Sequence, residues 1–291
     1  MRQTPILMEL REETMALELC DMAGTLGVEV TGIDLAEGVS SKEASLLQAA
    51  LRDRLVMVIK NQSLSPKQYV EGIKVFGDPM HQHLAKLLMD EHPEIAVLDS
   101  RVANSKSEDG KIMPIGSKDW HTDHTNHAKP PKMTVLYAVK LPKEGGDTGF
   151  ANMQDAFSGL RKDEQSHLLS LTTVNVLEQN LSYVDDKTRQ SLTPQKHPFI
   201  RTHPETGKKA IYVHPGKLAH FEGMSSSESK ALLNSLLDRV LRPEITYRHK
   251  WSIGDLVIWD NRATLHVAHT DYDPNEGRIL HRICLAGDVP A

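Results

Sequence analysis

Residues 254–266 carry the sequence GDLVIWDNRATLH, in which a short apolar run is followed by polar residues and then by a histidine. The run Leu256 to Trp259 is apolar and contains β-branched residues, which predicts a buried strand. Asp260, Asn261 and Arg262 then predict a polar turn. The stretch therefore predicts a strand and a turn that lead to His266.

Similar strand-like runs occur along the whole chain, and few helices interrupt them. The predicted strands are 27–35, 55–60, 95–98, 133–139, 210–213, 245–251, 256–259 and 279–286. Three serines have the capping-box spacing that predicts a helix start: Ser40 with Glu43, Ser65 with Gln68, and Ser225 with Glu228. Many strands, few helices and no βαβ alternation predict a mainly β sandwich or barrel with bracing helices.

The chain of 291 residues is interpreted as one domain, residues 1–291, because it contains no internal repeat and no low-complexity linker. Two polar stretches without a clear period, Arg101 to Lys118 and Gln179 to His197, are predicted to border the mouth of an active site.

Composition limits the classes of partner. The formal net charge is −5, so nothing indicates binding to nucleic acid or to an anionic membrane. No apolar run is long enough to span a bilayer, and the N-terminal residues do not resemble a signal peptide. Cys20 and Cys284 lie far apart and are interpreted as reduced thiols, which favours a cytoplasmic protein.

The strongest local signal for chemistry is Trp120-His121-Thr122-Asp123. In an extended segment, residues two apart point to the same side, so His121 and Asp123 would present an imidazole and a carboxylate to one point. His124 should then point away from that point. The pattern is weak alone, because a hydrogen-bonded His–Asp pair has the same spacing.

A third ligand would have to come from remote sequence, and His266 is the candidate. Paired strands of a jelly roll bring such segments together. Two histidines and one carboxylate on one face leave open coordination positions, as in non-haem Fe(II) oxygenases.

The run Arg278-Ile279-Leu280-His281-Arg282-Ile283-Cys284 adds positive charge to a predicted strand. Arg278, Leu280, Arg282 and Cys284 would share one face. An arginine on an inward face has to meet an anion, because an unpaired buried charge is costly.

Taken together, these motifs resemble the taurine dioxygenase family, which includes the 2,4-dichlorophenoxyacetate and dichlorprop dioxygenases. The motifs are His121-x-Asp123, Gly145-Gly146-Asp147-Thr148, Trp259-Asp260-Asn261-Arg262 with His266, and Arg278 with Arg282. The resemblance extends from about Leu26 to Asp288. It implies a double-stranded β-helix (jelly roll) and an Fe(II)- and 2-oxoglutarate-dependent dioxygenase that uses O₂ and releases succinate and CO₂.

The resemblance also implies site residues. His121, Asp123 and His266 fall on the metal ligands. Thr148 and Arg282 fall on the residues that bind 2-oxoglutarate. His83 lies near a histidine that touches substrate in the taurine enzyme.

The substrate is expected to be a small, anionic organic molecule. A cationic or neutral substrate, such as an amino-acid derivative, is the alternative. The residues expected to contact the substrate are His83, Asn126, His127 and Arg278. Two alternatives remain open at this point: a zinc-dependent hydrolase, and a non-catalytic small-molecule sensor on the same barrel. The sequence also leaves open whether the chain forms a homo-oligomer.

Overall fold

The computed structural model describes residues 16–22, 24–80, 87–102, 104–106, 112–114, 119–177 and 193–291. The α-helices among them are α1 Ser41–Arg54, α2 Pro66–Ile73, α3 Met153–Ser158, α4 Lys162–Leu169 and α5 Ser226–Val240. Short 3-10 helices occupy Lys74–Phe76, Pro215–Lys217, Pro243–Ile245 and Pro274–Glu276.

The strands of the first half are β1 Glu18–Asp21, β2 Val28–Thr31, β3 Val56–Ile59, β4 Ala96–Asp99, β5 Asn104–Lys106, β6 Ile112–Pro114, β7 Met133–Lys140, β8 Thr148–Asn152 and β9 Thr172–Asn175. Those of the second half are β10 Gln195–Pro198, β11 Ile200–Thr202, β12 Lys209–Ile211, β13 Leu218–Phe221, β14 Thr246–His249, β15 Leu256–Asp260, β16 Thr264–Ala268 and β17 Ile279–Leu285.

The largest sheet has the strand order β1-β2-β3-β15-β7-β17-β4 and is antiparallel except between β2 and β3. Strands β14, β8 and β16 form a second, three-stranded sheet. The chain passes from β7 to β8 and from β15 to β16, so both turns carry it from the first sheet to the second. Phe150 of the second sheet packs on Trp259 of the first, with ring centroids 5.3 Å apart.

The two faces of the large sheet bury different apolar clusters. On β7, Leu136 and Ala138 face the larger cluster, between the sheets. Met133, Val135 and Tyr137 alternate with them and face a second cluster, which α1 and α2 cover with residues such as Leu47, Leu51 and Tyr69. Period-two alternation therefore divides the core into an inner part and an outer part.

The predicted helix starts are confirmed. Ser40, Ser65 and Ser225 each accept a hydrogen bond from the backbone N–H three residues later, and the side chain at that position closes each capping box. Helices α3 and α4 were not predicted. Asn152 caps α3 without a glutamate or glutamine at the third position, and Arg161 gives α4 no side-chain cap, so neither has the capping-box signal.

The mainly β prediction is confirmed, and each predicted strand overlaps an observed one. The two stretches predicted as irregular are only partly described. Within 101–118, β5 pairs with β6, and β10 begins at Gln195 within the second stretch. Residues 107–111, 115–118 and 178–192 lie outside the described residues. None of the described helices is both long enough and apolar enough to cross a membrane.

Candidate metal centre

The predicted triad converges in space. One ligand atom from each of His121, Asp123 and His266 lies within 4.8 Å of the others, and all three residues are buried. The Nε2 atoms of His121 and His266 each lie 3.9 Å from Oδ1 of Asp123. The two imidazole centroids are 4.1 Å apart. Ligands of one ion at about 2.0–2.2 Å cannot be much more than about 4.4 Å apart, so this spacing is close to that of a shared ion.

The backbone explains how residues so distant in sequence meet. His121 and His266 form an isolated antiparallel bridge, with His121 N donating to His266 O (2.9 Å) and His266 N donating to His121 O (2.8 Å). The His121 segment thereby extends the sheet beyond β16. Nδ1 of His121 donates to the carbonyl of Asp119 (2.8 Å), which leaves its Nε2 lone pair for a metal.

A chain of hydrogen bonds holds the carboxylate of Asp123. Thr134 Oγ1 donates to Asp123 Oδ2 (2.6 Å), and Asn261 Nδ2 donates to Thr134 Oγ1 (2.8 Å). Trp259 Nε1 in turn donates to Asn261 Oδ1 (3.0 Å). Oδ2 of Asp123 is therefore held by protein, and Oδ1 faces the two histidines.

The electrostatics favour neutral imidazoles beside an ionised carboxylate. Burial lowers the pKa of His121, and burial followed by the nearby His121 lowers the pKa of His266 to about 3. Burial alone would raise the pKa of Asp123, but the interactions with His266 and with the Arg282 guanidinium outweigh it and hold that pKa well below its usual range. Both ligand types are thus in the protonation state that binds a cation.

The donor set fits Fe(II). Two imidazoles and one carboxylate, with one carboxylate oxygen held by Thr134, resemble the facial arrangement of non-haem iron oxygenases. His124, which the sequence analysis expects to point away from the ligands, follows Asp123 directly. Its φ is +52°, in a turn rather than a strand, and it is not part of the converging group among the described residues.

Thr148 and Arg278 lie against a common side chain. Trp251 Nε1 donates to Thr148 Oγ1 (3.1 Å), and the Arg278 Cζ atom lies 6.0 Å from the Trp251 ring centroid. The same guanidinium is 6.0 Å from the Tyr272 ring, and its Nε donates to the Gly146 carbonyl (2.9 Å). The described hydrogen-bond and ring partners of this buried cation are neutral, and Asp147, the carboxylate that acts on it, is paired with Arg248.

Arg282 lies nearer to the triad. It is paired in register with Leu136 of β7, and its positive charge lowers the pKa values of Asp123, His121 and His266. The sequence analysis assigned Thr148 and Arg282 together to 2-oxoglutarate, and that assignment stays a prediction. Among the described contacts, Thr148 and Arg278 share Trp251 as a neighbour.

Asn126 is buried, and its Oδ1 atom has no hydrogen-bond partner within the described chain. His127 is half-buried, and its carbonyl accepts a hydrogen bond from Nε2 of His197 (2.9 Å). His83 lies outside the described residues, so its predicted contact with substrate stays a prediction.

The sequence analysis missed His214. Its buried ring lies 4.7 Å from the His121 ring, because Thr122 N donates to the carbonyl of Val213 (3.0 Å). No local spacing motif marks this histidine. Only the pairing of its segment with the His121 segment brings it to the site.

Comparison with known proteins agrees with this geometry. Residues 18–284 match the family described as "Taurine catabolism dioxygenase TauD, TfdA family". An alkylsulfatase from Acinetobacter baylyi is 30% identical, with 96% of this chain and 88% of the relative covered. An α-ketoglutarate-dependent 2,4-dichlorophenoxyacetate dioxygenase from Cupriavidus pinatubonensis is 29% identical, with 89% and 94% covered.

Among solved structures, a taurine dioxygenase from Burkholderia xenovorans superimposes with a TM-score of 0.78 at 30% identity. The superposition covers 94% of this chain and 91% of that one. The predicted jelly-roll fold and the predicted family are both confirmed.

Proposed function

The chain belongs to the taurine catabolism dioxygenase TauD/TfdA family, and we propose that it oxidises a C–H bond of a small, anionic organic molecule, using Fe(II), 2-oxoglutarate and O₂. The observation that carries this proposal is the convergence of His121, Asp123 and His266 on one point. The dependence on 2-oxoglutarate follows the family and relatives such as the dichlorophenoxyacetate dioxygenase. Neither alternative, a zinc hydrolase or a non-catalytic sensor, has support among these relatives.

We propose that the three side chains hold Fe(II), which when bound supplies the O₂ chemistry that amino-acid side chains lack. The protein holds the ligands in place. The Asp119 carbonyl orients His121, and Thr134 orients Asp123. The apolar inner cluster, including Trp259 next to His266, excludes water from one side of the pocket.

For 2-oxoglutarate, the contacts support a division of roles between the two arginines that differs from the sequence expectation. A buried guanidinium whose described partners are a carbonyl and two rings requires an anion, so Arg278 is the better partner for the distal carboxylate. Thr148, held by the same Trp251, would donate a further hydrogen bond.

We assign Arg282, which acts on the triad, to the head group of the primary substrate. Its charge already acts on the triad, so an anion bound there would lie beside the reacting centre. The names of the relatives fit an anionic head group, since alkyl sulfates and 2,4-dichlorophenoxyacetate both carry one.

We further infer one domain and a cytoplasmic location. The large sheet contributes residues to both apolar clusters, which supports a single folding unit. Neither Cys20 nor Cys284 forms a disulfide among the described residues, which agrees with a reducing compartment.

The direct test is succinate release from 2-oxoglutarate, measured with taurine, an alkyl sulfate and 2,4-dichlorophenoxyacetate as candidate substrates. We expect substrate-dependent succinate only when Fe(II), 2-oxoglutarate and O₂ are all present. Zinc-supported hydrolysis of any of these compounds, without 2-oxoglutarate, would show that the reaction class is wrong.

Binding measurements under nitrogen distinguish the roles of Arg278 and Arg282. Arg278→Ala should weaken 2-oxoglutarate binding by at least about 100-fold, because it removes one partner of a buried charge pair. Arg282→Ala should weaken substrate binding instead. Arg239→Ala, which removes an exposed arginine that pairs with Glu164, is the control. Loss of 2-oxoglutarate binding in Arg282→Ala alone would restore the sequence-based assignment.

A further inference from the structure

Trp251 is the neighbour that Thr148 and Arg278 have in common. It follows β14, in which His249 lies opposite Thr148 of β8 in the register of the second sheet. The indole Nε1 donates to Thr148 Oγ1 at 3.1 Å. The Arg278 Cζ atom lies 6.0 Å from the centroid of the same ring, within the range of a cation–π contact. One side chain therefore lies against both groups that the proposed function assigns to the distal carboxylate.

The hydrogen bond between Trp251 and Thr148 has only one direction. An indole N–H donates and cannot accept, so the Thr148 hydroxyl is the acceptor. Its own proton must then point elsewhere. Thr148 is 3% exposed, and its hydroxyl donates no hydrogen bond to any residue that the structure describes. Trp251 thereby leaves Thr148 with a buried donor, and an acceptor oxygen of a ligand would complete it.

Arg278 is fixed in a similar way, through its Nε atom. Nε donates to the Gly146 carbonyl, and neither Nη group forms a hydrogen bond within the described ranges. A Cβ atom on Gly146 would lie 3.0 Å from Cδ and Nε of Arg278, so the close approach depends on glycine. The neighbouring carboxylate, Asp147, pairs with Arg248 instead. The Nη groups of Arg278 are thus left for a carboxylate from outside the protein.

The indole of Trp251 is held by its own neighbours. The buried His249 ring meets it edge-on, with centroids 4.7 Å apart and an interplanar angle of 87°. Nε2 of His249 donates to Oδ2 of Asp255 (3.1 Å), and the Tyr247 hydroxyl lies 2.9 Å from Nδ1. Lys60 Nζ lies 2.7 Å from the other oxygen of Asp255. Both nitrogens of His249 are therefore occupied, and the ring against which Trp251 packs has a fixed orientation.

We propose that Trp251 is a positioning residue for 2-oxoglutarate, which directs the Thr148 hydroxyl proton and the Arg278 guanidinium toward the distal carboxylate. This inference rests on the proposed function, which assigns Thr148 and Arg278 to that carboxylate. It follows that the preference for a co-substrate with a distal carboxylate depends on the indole N–H of Trp251.

The test is equilibrium binding to the Fe(II)-loaded protein under nitrogen, with two probes. One is 2-oxoglutarate, and the other is 2-oxopentanoate, which has a methyl group in place of the distal carboxylate. The wild type should prefer 2-oxoglutarate by at least about 100-fold, because 2-oxopentanoate leaves the buried arginine unpaired. The ratio of the two affinities reports on the distal carboxylate alone, since the other end of both probes is the same.

Trp251→Phe removes the N–H and keeps an aromatic ring. It should weaken 2-oxoglutarate binding by about three- to tenfold, the effect of one hydrogen bond, and leave 2-oxopentanoate binding unchanged. A purely structural role of Trp251 would lower both affinities and leave their ratio as in the wild type. Trp259→Phe is the matched control, because it also removes an indole N–H, but one that donates to Asn261. The ratio should stay the same in that variant.

Thr148→Val gives a second measurement. In the wild type it should lower the affinity ratio, and in Trp251→Phe it should lower the ratio less, because the two side chains act through one hydrogen bond. Equal losses in the two backgrounds, or an unchanged ratio in Trp251→Phe, would overturn the inference and leave the proposed function standing. A wild type without preference for 2-oxoglutarate would contradict the proposed function as well.

Discussion

Two buried histidine–aspartate clusters lie on either side of the turn after β15, and they differ in how the histidine meets the carboxylate. In the first, Nε2 of His203 donates to Oδ2 of Asp260 at 3.0 Å, and Arg262 donates to both carboxylate oxygens. In the second, the triad, the shortest separation between a histidine nitrogen and the Asp123 carboxylate is 3.9 Å.

The Asp260 cluster is complete without a ligand. Nδ1 of His203 accepts from the backbone N–H groups of Glu205 and Thr206, and Arg262 also pairs with Glu205. Burial alone would raise the pKa of Asp260, but hydrogen bonds from His203 and Arg262 outweigh it and hold that pKa well below its usual range. A network with partners for each charge has a structural role.

In the triad, by contrast, several polar atoms have no hydrogen-bond partner within the described chain. Nδ1 of His266 is buried and lacks a partner among the described residues, and Asp123 receives its one short side-chain hydrogen bond on Oδ2. The Nε2 atoms of His121 and His266 each lie 3.9 Å from Oδ1 of Asp123, which is too long for a hydrogen bond. The comparison teaches that a histidine and a carboxylate pair directly where they support the fold, and stay apart where a cation is to lie between them.

The largest expected effect comes from Asp260→Ala. It leaves Arg262 buried beside a missing carboxylate, so the free energy of unfolding should fall by about 3–5 kcal/mol. Chemical denaturation of the metal-free protein measures this. Metal affinity of the folded fraction should be unchanged, and a large loss of that affinity would mean that the two clusters are one functional unit.

Asp123→Ala should lower metal affinity strongly and stability little, the reverse of Asp260→Ala. It removes one of three metal ligands, so metal affinity should fall by more than about 100-fold. Removing a group that only orients a ligand costs about 10–100-fold. The unfolding free energy of the metal-free protein should change much less than in Asp260→Ala. Titration with Fe(II) under nitrogen, paired with denaturation, tests both halves. A stability loss equal to that of Asp260→Ala would contradict the distinction.

Thr134→Val tests the hydrogen bond that holds Asp123. Freeing Oδ2 should weaken metal binding by about 10–100-fold, the range found when groups that orient metal ligands are removed. Thr134→Ser keeps the hydroxyl and should restore most of the affinity. If Thr134→Ser binds metal as weakly as Thr134→Val, the packing of the threonine side chain matters rather than its hydrogen bond.

The last effect, the smallest for a change of one pH unit, is the pH dependence of stability. His266 has a folded pKa of about 3, so the unfolded state binds more protons than the folded state between about pH 6.5 and 3. The unfolding free energy of the metal-free protein should therefore fall as the pH falls through that window, by roughly 1.4 kcal/mol per pH unit for this residue.

The control for that measurement is His266→Leu, which removes one titrating group and should flatten the profile. Bound metal should oppose the loss, because it requires unprotonated imidazoles. An identical pH profile in wild type and His266→Leu would mean that the imidazole is solvated in the folded protein.

Much of the fold was predictable because its signals are local. The apolar runs that became β3, β7, β15 and β17 were recognisable, as were the capping boxes that begin α1, α2 and α5. Strands β8 and β16 were not predicted. They contain few consecutive β-branched residues, and the pairing of β8 with both β14 and β16 stabilises them.

The metal ligands were easier to predict than the roles of the two arginines, because the ligands have a local or family signal. His121 and Asp123 share a local spacing, and the family resemblance supplied His266. The roles of the arginines were less accessible, because alternation alone predicts Arg278 and Arg282 on the same face. In the structure Arg278 precedes β17, and a register shift lies between Ile279 and Leu280. Among the described residues, Trp251 and Tyr272 lie beside Arg278, whereas the triad lies near Arg282.

The sequence by itself determined the mainly β class, the helix starts and the ligand types, since each depends on side chains a few residues apart. Only the tertiary structure decided that the His121 segment pairs with β16, that Thr148 and Arg278 both lie next to Trp251, and that the His214 ring lies beside the His121 ring. Those relations depend on which strands become neighbours. The packing of the two sheets sets that choice, and no local spacing records it.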